Sequence, residues 1–257
     1  SRVEDIRSAV DYLTSLKYVD VERIGAMGIC AGGGYTINAI QTEFRIKAAA
    51  GISTWDVGDS AKNGFPGVDI PDFMHKLLKE VADARTSEAR GGKAAYWHYV
   101  PESEADIDEN TSTIQKEAYE YYRTDRCFYP TSVNKYLVSS NDKLAAWDAF
   151  AHIDTVSPRP LLFIVGSKAD TLYFTKDAFS RAKEPKEIFT IDGATTLTYT
   201  TSPNMSGKSY QSSWSFSANI CAKKIDLSAG DKVGAATVRP AMRVMRAQRS
   251  NQFFRDG

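Results

Sequence analysis

The 257-residue chain contains few cysteines and few histidines, three of each. The cysteines stand far apart in the sequence, at Cys30, Cys127 and Cys221. This spacing matches neither a disulfide framework nor a zinc site, and the scattered histidines show no metal-ligand pattern. We therefore expect no metal and no cofactor, and a reducing, cytoplasmic environment fits this cysteine usage best.

The chain also lacks an excess of charge and a long apolar run. Lysine plus arginine equals aspartate plus glutamate, at 32 each, so the formal net charge is zero. Without a basic stripe we expect no nucleic-acid partner, and without an apolar stretch of membrane length we expect no membrane insertion. The first residues predict an amphipathic helix over residues 3–16 rather than a signal peptide.

What the sequence does contain is an alternation of predicted helices and buried strands. The helix over residues 3–16 is followed by a strand over 24–28, a helix over 34–41 and a strand over 46–52. The pattern resumes with a strand over 158–166, a helix over 176–182 and a strand over 187–191. Such alternation is typical of a parallel sheet covered by helices. The predicted fold class is therefore α/β, with a mostly parallel sheet and helices on both faces.

Residues 55–145 interrupt this alternation. They are polar, rich in aromatic residues and helical in parts, and they predict a helical cap inserted between two strands. A further helix is predicted over residues 144–152. The predicted organisation is thus core 1–54, cap 55–145, core 146–195 and tail 196–257. Two roles, lining an acyl pocket or packing the cap onto the core, are open for the aromatic residues Trp55, Phe65, Tyr96, Trp97, Phe128 and Tyr129.

The most informative segment is Gly28-Ile29-Cys30-Ala31-Gly32, followed by Gly33, which lies between a predicted strand and a predicted helix. A strand-to-helix turn with small residues around a nucleophile is a nucleophile elbow. Cys30 occupies the nucleophile position. The N-terminus of the following helix favours a thiolate, so we expect Cys30 to be nucleophilic near neutral pH. A phosphate loop, or a turn of small residues around a buried thiol, is the alternative.

A second candidate follows the predicted strand over residues 158–166. The loop Ser167-Lys168-Ala169-Asp170-Thr171 stands at the carboxyl end of this strand. Catalytic groups of open α/β sheets gather at that edge. Asp170 is therefore either a catalytic carboxylate or one that caps the loop.

Together these segments make the chain resemble the α/β-hydrolase superfamily, specifically its dienelactone-hydrolase-like branch with a cysteine elbow. The resemblance covers about residues 3–194 and is most specific at residues 19–35, 158–171 and 185–194. Several fungal members of this branch act as polyketide acyltransferases or thioester hydrolases of secondary metabolism. The resemblance implies an enzyme for a small-molecule acyl ester or thioester, with a carrier-protein-bound acyl chain as one form of substrate.

The resemblance also implies roles for particular residues. Cys30 would be the nucleophile, Asp170 the acid of the triad, and the backbone N–H of Ala31 one oxyanion-hole donor. The reaction would pass through an acyl-cysteine, released to water or to an alcohol or amine. The elbow glycines would be Gly28, Gly32 and Gly33.

Two departures from the family pattern bear on activity. The chain begins at the helix before the elbow, so we expect an N-terminal truncation that removes the first strands and the loop carrying the second oxyanion donor. Thr196 occupies the position where the family has its histidine. His152 is the remaining histidine near the predicted sheet and is the candidate to replace it.

The residues after Thr195 predict a shifted reading frame. Back-translating residues 195–200 with one base restored gives Thr-His-Val-Asp-Leu-Tyr, and the same shift through residue 223 gives an amphipathic helix. We therefore expect residues 196–257 to be an aberrant, poorly ordered tail. A genuine divergent tail, with an interaction role for its arginines, is the alternative.

The sequence thus predicts an acyl-transfer enzyme of α/β-hydrolase type, impaired in this form by the loss of the triad histidine. The competing hypothesis is a non-catalytic binding protein that has the same fold and retains the pocket without the chemistry.

Overall fold

In the computed structural model, residues 2–64 and 70–197 are described. They form a four-stranded parallel sheet with helices packed against it and a separate two-stranded antiparallel pair. The predicted α/β fold class with a mostly parallel sheet is confirmed. The expectations for Phe65, for Cys221 and for residues 198–257 lie outside the described residues.

Helices and strands follow one another closely along the described chain. The helices are α1 (Arg2–Ser15), α2 (Ala31–Thr42), α3 (Val57–Asn63), α4 (Phe73–Ala89), α5 (Thr113–Arg123), α6 (Asn141–Ala145) and α7 (Leu172–Arg181). The strands are β1 (Gly25–Ile29), β2 (Ala48–Ile52), β3 (Tyr96–Trp97), β4 (Tyr136–Leu137), β5 (Leu161–Gly166) and β6 (Lys186–Ile191). Short 3-10 helices lie at Val21–Arg23, Glu104–Asp106, Val138–Ser140 and Ile153–Val156.

The main sheet has the strand order β1-β2-β5-β6, and every pair in it is parallel. Strands β2 and β5 are buried along their whole length, which suits their continuous apolar sequences. Because all four strands run the same way, the loops that follow them meet at one edge of the sheet. Helices α3 to α6 all lie in the long connection between the neighbouring strands β2 and β5.

The core lies where α1, α2 and α7 pack against the sheet. Fully buried side chains fill this space, and each contributes roughly 1.5–3 kcal/mol by removal from water. The largest of them are Phe150, Phe163, Phe174, Ile37 and Ile40. In the described part of the chain, no helix is both long and apolar enough to cross a membrane.

The helix predicted over residues 144–152 is wrong. Helix α6 ends at Ala145, and the chain then turns into the 3-10 helix Ile153–Val156. The reason is that the backbone N–H groups of this segment bond to side chains instead of helix carbonyls. Ala149 donates to Asp56 at 3.1 Å, Phe150 to Asp148 at 2.7 Å and His152 to Gln41 at 2.7 Å.

Candidate active site

Cys30 lies at the turn between β1 and α2, where the sequence places it. Its backbone angles are φ 54° and ψ −126°, in the left-handed region of φ, which strains a residue with a β-carbon by about 1–3 kcal/mol. The surrounding chain holds this conformation through backbone hydrogen bonds, of which three are 3.0 Å or shorter. Cys30 donates to the Ile52 carbonyl at 2.9 Å, and the Cys30 carbonyl accepts from Gly33 at 2.9 Å and from Trp55 at 3.0 Å. This is the local geometry of a nucleophile elbow.

The glycines around Cys30 differ in how much space they have. A β-carbon at Gly28 would lie 2.1 Å from the Gly32 carbonyl oxygen, so only glycine fits there. At Gly33 a β-carbon would be tight, 3.1 Å from the Thr54 hydroxyl, whereas at Gly32 no atom lies within 4 Å. Sequence reasoning missed Gly34, where a β-carbon would lie 2.2 Å from the Trp55 carbonyl oxygen. The run of three consecutive glycines that ends at Gly34 could have indicated that this position also requires glycine.

The thiol of Cys30 is half-buried, and its environment does not favour the thiolate. Burial raises the pKa of Cys30 above its ordinary value, and the hydrogen bond from the backbone N–H of Ala31 only partly opposes that rise. The prediction of a thiolate near neutral pH is therefore wrong, because desolvation outweighs the helix N-terminus. The N–H of Ala31 does reach the sulfur, at the position predicted for an oxyanion-hole donor.

Asp170 lies in the loop after β5, as expected, but its partner comes from the cap. One carboxylate oxygen accepts from the backbone N–H of Ile114 at 2.9 Å. Burial raises the pKa of Asp170, and this hydrogen bond partly opposes the rise. The carboxylate thus caps the N-terminus of α5, a partner that the sequence did not reveal because it lies 56 residues away.

Thr196 is buried beside the loop that carries Asp170. Its hydroxyl oxygen accepts from the backbone N–H of Thr171 at 3.3 Å and lies 3.3 Å from the hydroxyl of Thr171. The segment after β6 packs tightly there, since a β-carbon at Gly166 would lie 2.0 Å from the Ala194 carbonyl oxygen. The position where the resemblance places a histidine is therefore directly next to the candidate acid loop.

The candidate residues gather at one edge of the sheet without contacting one another. Cys30 follows β1, Asp170 follows β5 and Thr196 follows β6. Since β2 separates β1 from β5, about 10 Å separates the two strand axes. A carboxylate at that distance needs a bridging group to act on the thiol, and an imidazole is a group of suitable length.

His152 does not supply that bridge. It is exposed, and its backbone N–H donates to the side chain of Gln41. Gln41 stands 11 residues after Cys30, close to the far end of α2, about 16 Å further along the helix axis. His75 on α4 and His98 after β3 are exposed as well. Within residues 2–64 and 70–197, no three His, Cys, Asp or Glu side chains cluster as a metal site.

Some of the predicted aromatic residues of the cap pack against other side chains, and the others are exposed to solvent. Trp55 packs against the core and donates from its ring N–H to the Ser60 hydroxyl at 2.6 Å. Trp97 packs against a smaller cluster around Leu77, whereas the side chains of three others are exposed: Tyr96, Phe128 and Tyr129.

Two tyrosines outside the predicted set of six have perturbed phenols. The pKa of Tyr35, on α2, and that of Tyr122, on α5, are both raised, first by burial. The charge of a Cys30 thiolate contributes a smaller part of both pKa shifts. Of the predicted aromatic residues, Trp55 lies beside the nucleophile, because its backbone N–H donates to the Cys30 carbonyl at 3.0 Å.

Comparison with known proteins agrees with this geometry. The prolyl oligopeptidase family matches residues 1–62, the part that contains the elbow. The uncharacterized protein YcjY of Escherichia coli (strain K12) is 35% identical over 195 residues, which are 75% of this chain and 62% of that protein. The polyketide transferase GrgF of Penicillium sp. is 25% identical over 195 residues, 75% of this chain and 61% of that protein.

Solved structures give the same result for the fold. A crystal structure of the hypothetical protein PA2218 from Pseudomonas aeruginosa has a TM-score of 0.72 and 26% identity, and covers 82% of this chain and 66% of that one. The α/β hydrolase GrgF from Penicillium has a TM-score of 0.67 and 21% identity, with coverages of 88% and 72%. The described residues therefore have an α/β-hydrolase fold.

The chain is shorter than these curated proteins. It spans 62% of YcjY, 61% of GrgF and 51% of PA2218, to which it is 30% identical over 194 residues, 74% of this chain.

Proposed function

We propose that the protein is an acyl-transfer enzyme that attacks an ester or thioester with the thiol of Cys30. The observation that carries this proposal is the strained positive φ of Cys30 between β1 and α2, with the N–H of Ala31 at the sulfur. Strain of this kind persists where the surrounding structure enforces it, and it concentrates at functional sites. The substrate is a small acyl ester or thioester, and the reaction needs no cofactor.

The reaction proceeds through an acyl-cysteine. The thiol loses its proton to solvent, the sulfur forms a bond to the carbonyl carbon, and the carbonyl electron pair moves onto oxygen. The N–H of Ala31 then donates to that oxyanion. Collapse breaks the bond to the alkoxide or thiolate leaving group, which takes up a proton. Water, an alcohol or an amine finally removes the acyl group from sulfur.

The proposal also covers the group that accepts the acyl chain. Similarity to a protein named as a polyketide transferase supports transfer of a polyketide acyl chain in secondary metabolism, with thioester hydrolysis as the variant in which water is the acceptor. A carrier-protein-bound acyl chain is one form of the donor. We further propose a cytoplasmic enzyme without a nucleic-acid or membrane partner, in keeping with the balance of charges.

The proposed enzyme is impaired, because it lacks the histidine expected as its catalytic base. Burial raises the pKa of Cys30, and Thr196 stands where a histidine would lower the barrier to deprotonation. The same observations favour the second candidate function, a binding protein that retains the fold without catalysis. The shifted reading frame stays a prediction, and ester turnover by the protein distinguishes the two functions.

Turnover of p-nitrophenyl butyrate is the test. We expect slow hydrolysis above the spontaneous rate that falls about tenfold in Cys30→Ala and stays unchanged in Cys127→Ser, the matched exposed cysteine. Because the pKa of Cys30 is raised and only the thiolate attacks, the rate of the p-nitrophenol burst that reports acylation should climb about tenfold per pH unit from pH 7 to pH 9. Equal rates in the protein and in Cys30→Ala would favour the binding protein.

A further inference from the structure

Ser53 is the first residue after β2 and lies in the gap between β1 and β5. The register of the sheet pairs Ile29 of β1 with Ile52 of β2. The next two residues, Cys30 and Ser53, therefore stand opposite each other, with about 5 Å between their Cα atoms. On its other side, the Ser53 N–H donates to the carbonyl of Ile164 in β5 at 2.8 Å. Ser53 thus lies directly beside the nucleophile at the carboxyl edge of the sheet.

The turn that carries Ser53 is bonded to the backbone of Cys30 at both ends. The Cys30 N–H donates to the Ile52 carbonyl at 2.9 Å, and the Trp55 N–H donates to the Cys30 carbonyl at 3.0 Å. Ser53 has a φ of 44°, in the same left-handed region as the φ of 54° at Cys30. A residue with a β-carbon keeps this conformation only where the surrounding structure imposes it. Shared hydrogen bonds therefore hold the two strained residues next to each other.

The hydroxyl of Ser53 is buried without a hydrogen-bond partner. Ser53 is 0% exposed, and no described residue bonds to its side-chain oxygen. An unpaired buried hydroxyl costs free energy, so its presence calls for an explanation.

Two more hydroxyls in the described part of the chain are buried and unpaired, those of Thr54 and Thr175. A β-carbon at Gly33 would lie 3.1 Å from the Thr54 hydroxyl oxygen, and one at Gly51 would lie 2.2 Å from it. The Thr54 hydroxyl therefore fills the space over these two glycines, and Thr175 lies on α7. Of the three residues, Ser53 is the one that stands opposite the nucleophile in the sheet.

We propose that the hydroxyl of Ser53 is a second oxyanion donor, which bonds to the oxygen of the tetrahedral adduct formed on Cys30. This role rests on the proposed function, in which the sulfur attacks a carbonyl and the N–H of Ala31 donates to the oxyanion. The adduct holds its oxygen two bonds from the sulfur, within reach of a side chain on the neighbouring strand. Because no described residue bonds to the hydroxyl, it can donate to the oxyanion without first breaking another bond, which favours the transition state over the ground state.

The test measures how tightly butyl trifluoromethyl ketone binds Cys30, because this reagent forms a tetrahedral adduct without ester turnover. The sulfur adds to the carbonyl carbon, the thiol proton passes to solvent, and the carbonyl electron pair moves onto oxygen. The full chain with Cys127→Ser and Cys221→Ser is used, and protection of Cys30 against iodoacetamide gives the dissociation constant.

In Ser53→Ala we expect the dissociation constant of the ketone to rise about tenfold, because the adduct loses one donor to its oxyanion. The rate of labelling by iodoacetamide alone should stay within about twofold of the parent, since alkylation of sulfur creates no oxyanion. A merely structural role for Ser53 would change both measurements together.

Two further variants separate the hydroxyl from the backbone strain and from burial. Ser53→Gly removes the hydroxyl and relieves the positive φ, so it should weaken ketone binding as much as Ser53→Ala does. Thr54→Val removes the neighbouring unpaired hydroxyl with little change of shape, so it should bind the ketone as the parent does.

An unchanged dissociation constant in Ser53→Ala, or parent-like binding in Ser53→Gly, would overturn the proposal. An equal loss of binding in Thr54→Val would do the same. Absence of ketone binding by the parent would overturn this proposal and the proposed function together. The expected loss of binding in both Ser53 variants, in a protein that turns over no ester, would overturn the proposed function alone.

Discussion

Gly28→Ala is expected to lower the free energy of unfolding by about 3 kcal/mol or more. A β-carbon at this position would lie 2.1 Å from the Gly32 carbonyl oxygen and 2.5 Å from the Thr36 hydroxyl. The first of these atoms belongs to the backbone of α2, which cannot move aside without opening the elbow. The clash therefore separates β1 from α2 and removes the turn that presents Cys30. Urea unfolding followed by circular dichroism measures the effect.

Gly32→Ala is the matched control in the same turn. No atom lies within 4 Å of a β-carbon there, and the position is helical. Alanine should leave stability unchanged or raise it by up to about 1 kcal/mol, since it restricts the unfolded chain more than glycine does. Similar unfolding midpoints for Gly28→Ala and Gly32→Ala would show that β1 and α2 do not make the close contact at Gly28.

Thr196→His is expected to raise ester turnover about 100-fold, the ordinary contribution of a general base. The hydroxyl of Thr196 already bonds to Thr171, the residue after Asp170. An imidazole there can accept the thiol proton and donate its other N–H to the carboxylate, which bridges the gap of about 10 Å between β1 and β5. The pH profile should gain an inflection near the imidazole pKa, about 6.5.

Thr196→Gln separates general-base catalysis from a change in packing. It adds a polar side chain at the same buried position without a group that titrates. Turnover by this variant should stay at the parent level. If the gain in ester turnover by Thr196→His persisted in the double variant with Cys30→Ala, the assignment of Cys30 as nucleophile would be contradicted. The general-base role would be contradicted if Thr196→His unfolded at the same temperature as the parent and showed no gain in turnover.

The parts of the fold that the sequence predicted correctly are those decided by neighbouring residues. The apolar run of β5 and the small residues around Cys30 fix a buried strand and a tight turn without help from elsewhere. The helix over residues 144–152 failed because the acceptors for its N–H groups include Asp56, which lies 93 residues before Ala149. No local pattern contains that information.

In the candidate site, too, the sequence predicted what neighbouring residues determine and missed what distant residues determine. The position of Cys30 and of Asp170 at the carboxyl edge of the sheet followed from the strand pattern. The raised pKa of the Cys30 thiol did not follow from the strand pattern, because it depends on how the whole fold buries the sulfur. The bond from Ile114 to Asp170 also did not follow from the strand pattern, since the two residues lie 56 positions apart and meet only in the folded protein.

Intact-mass analysis of the protein quenched in acid during reaction with p-nitrophenyl butyrate tests the central claim most directly. Without a base to activate water, deacylation should be slow, so we expect one butyryl group per chain. Peptide mapping should place it on Cys30, and Cys30→Ala should carry none. A butyryl group on Cys127, or an adduct that persists in Cys30→Ala, would contradict the account.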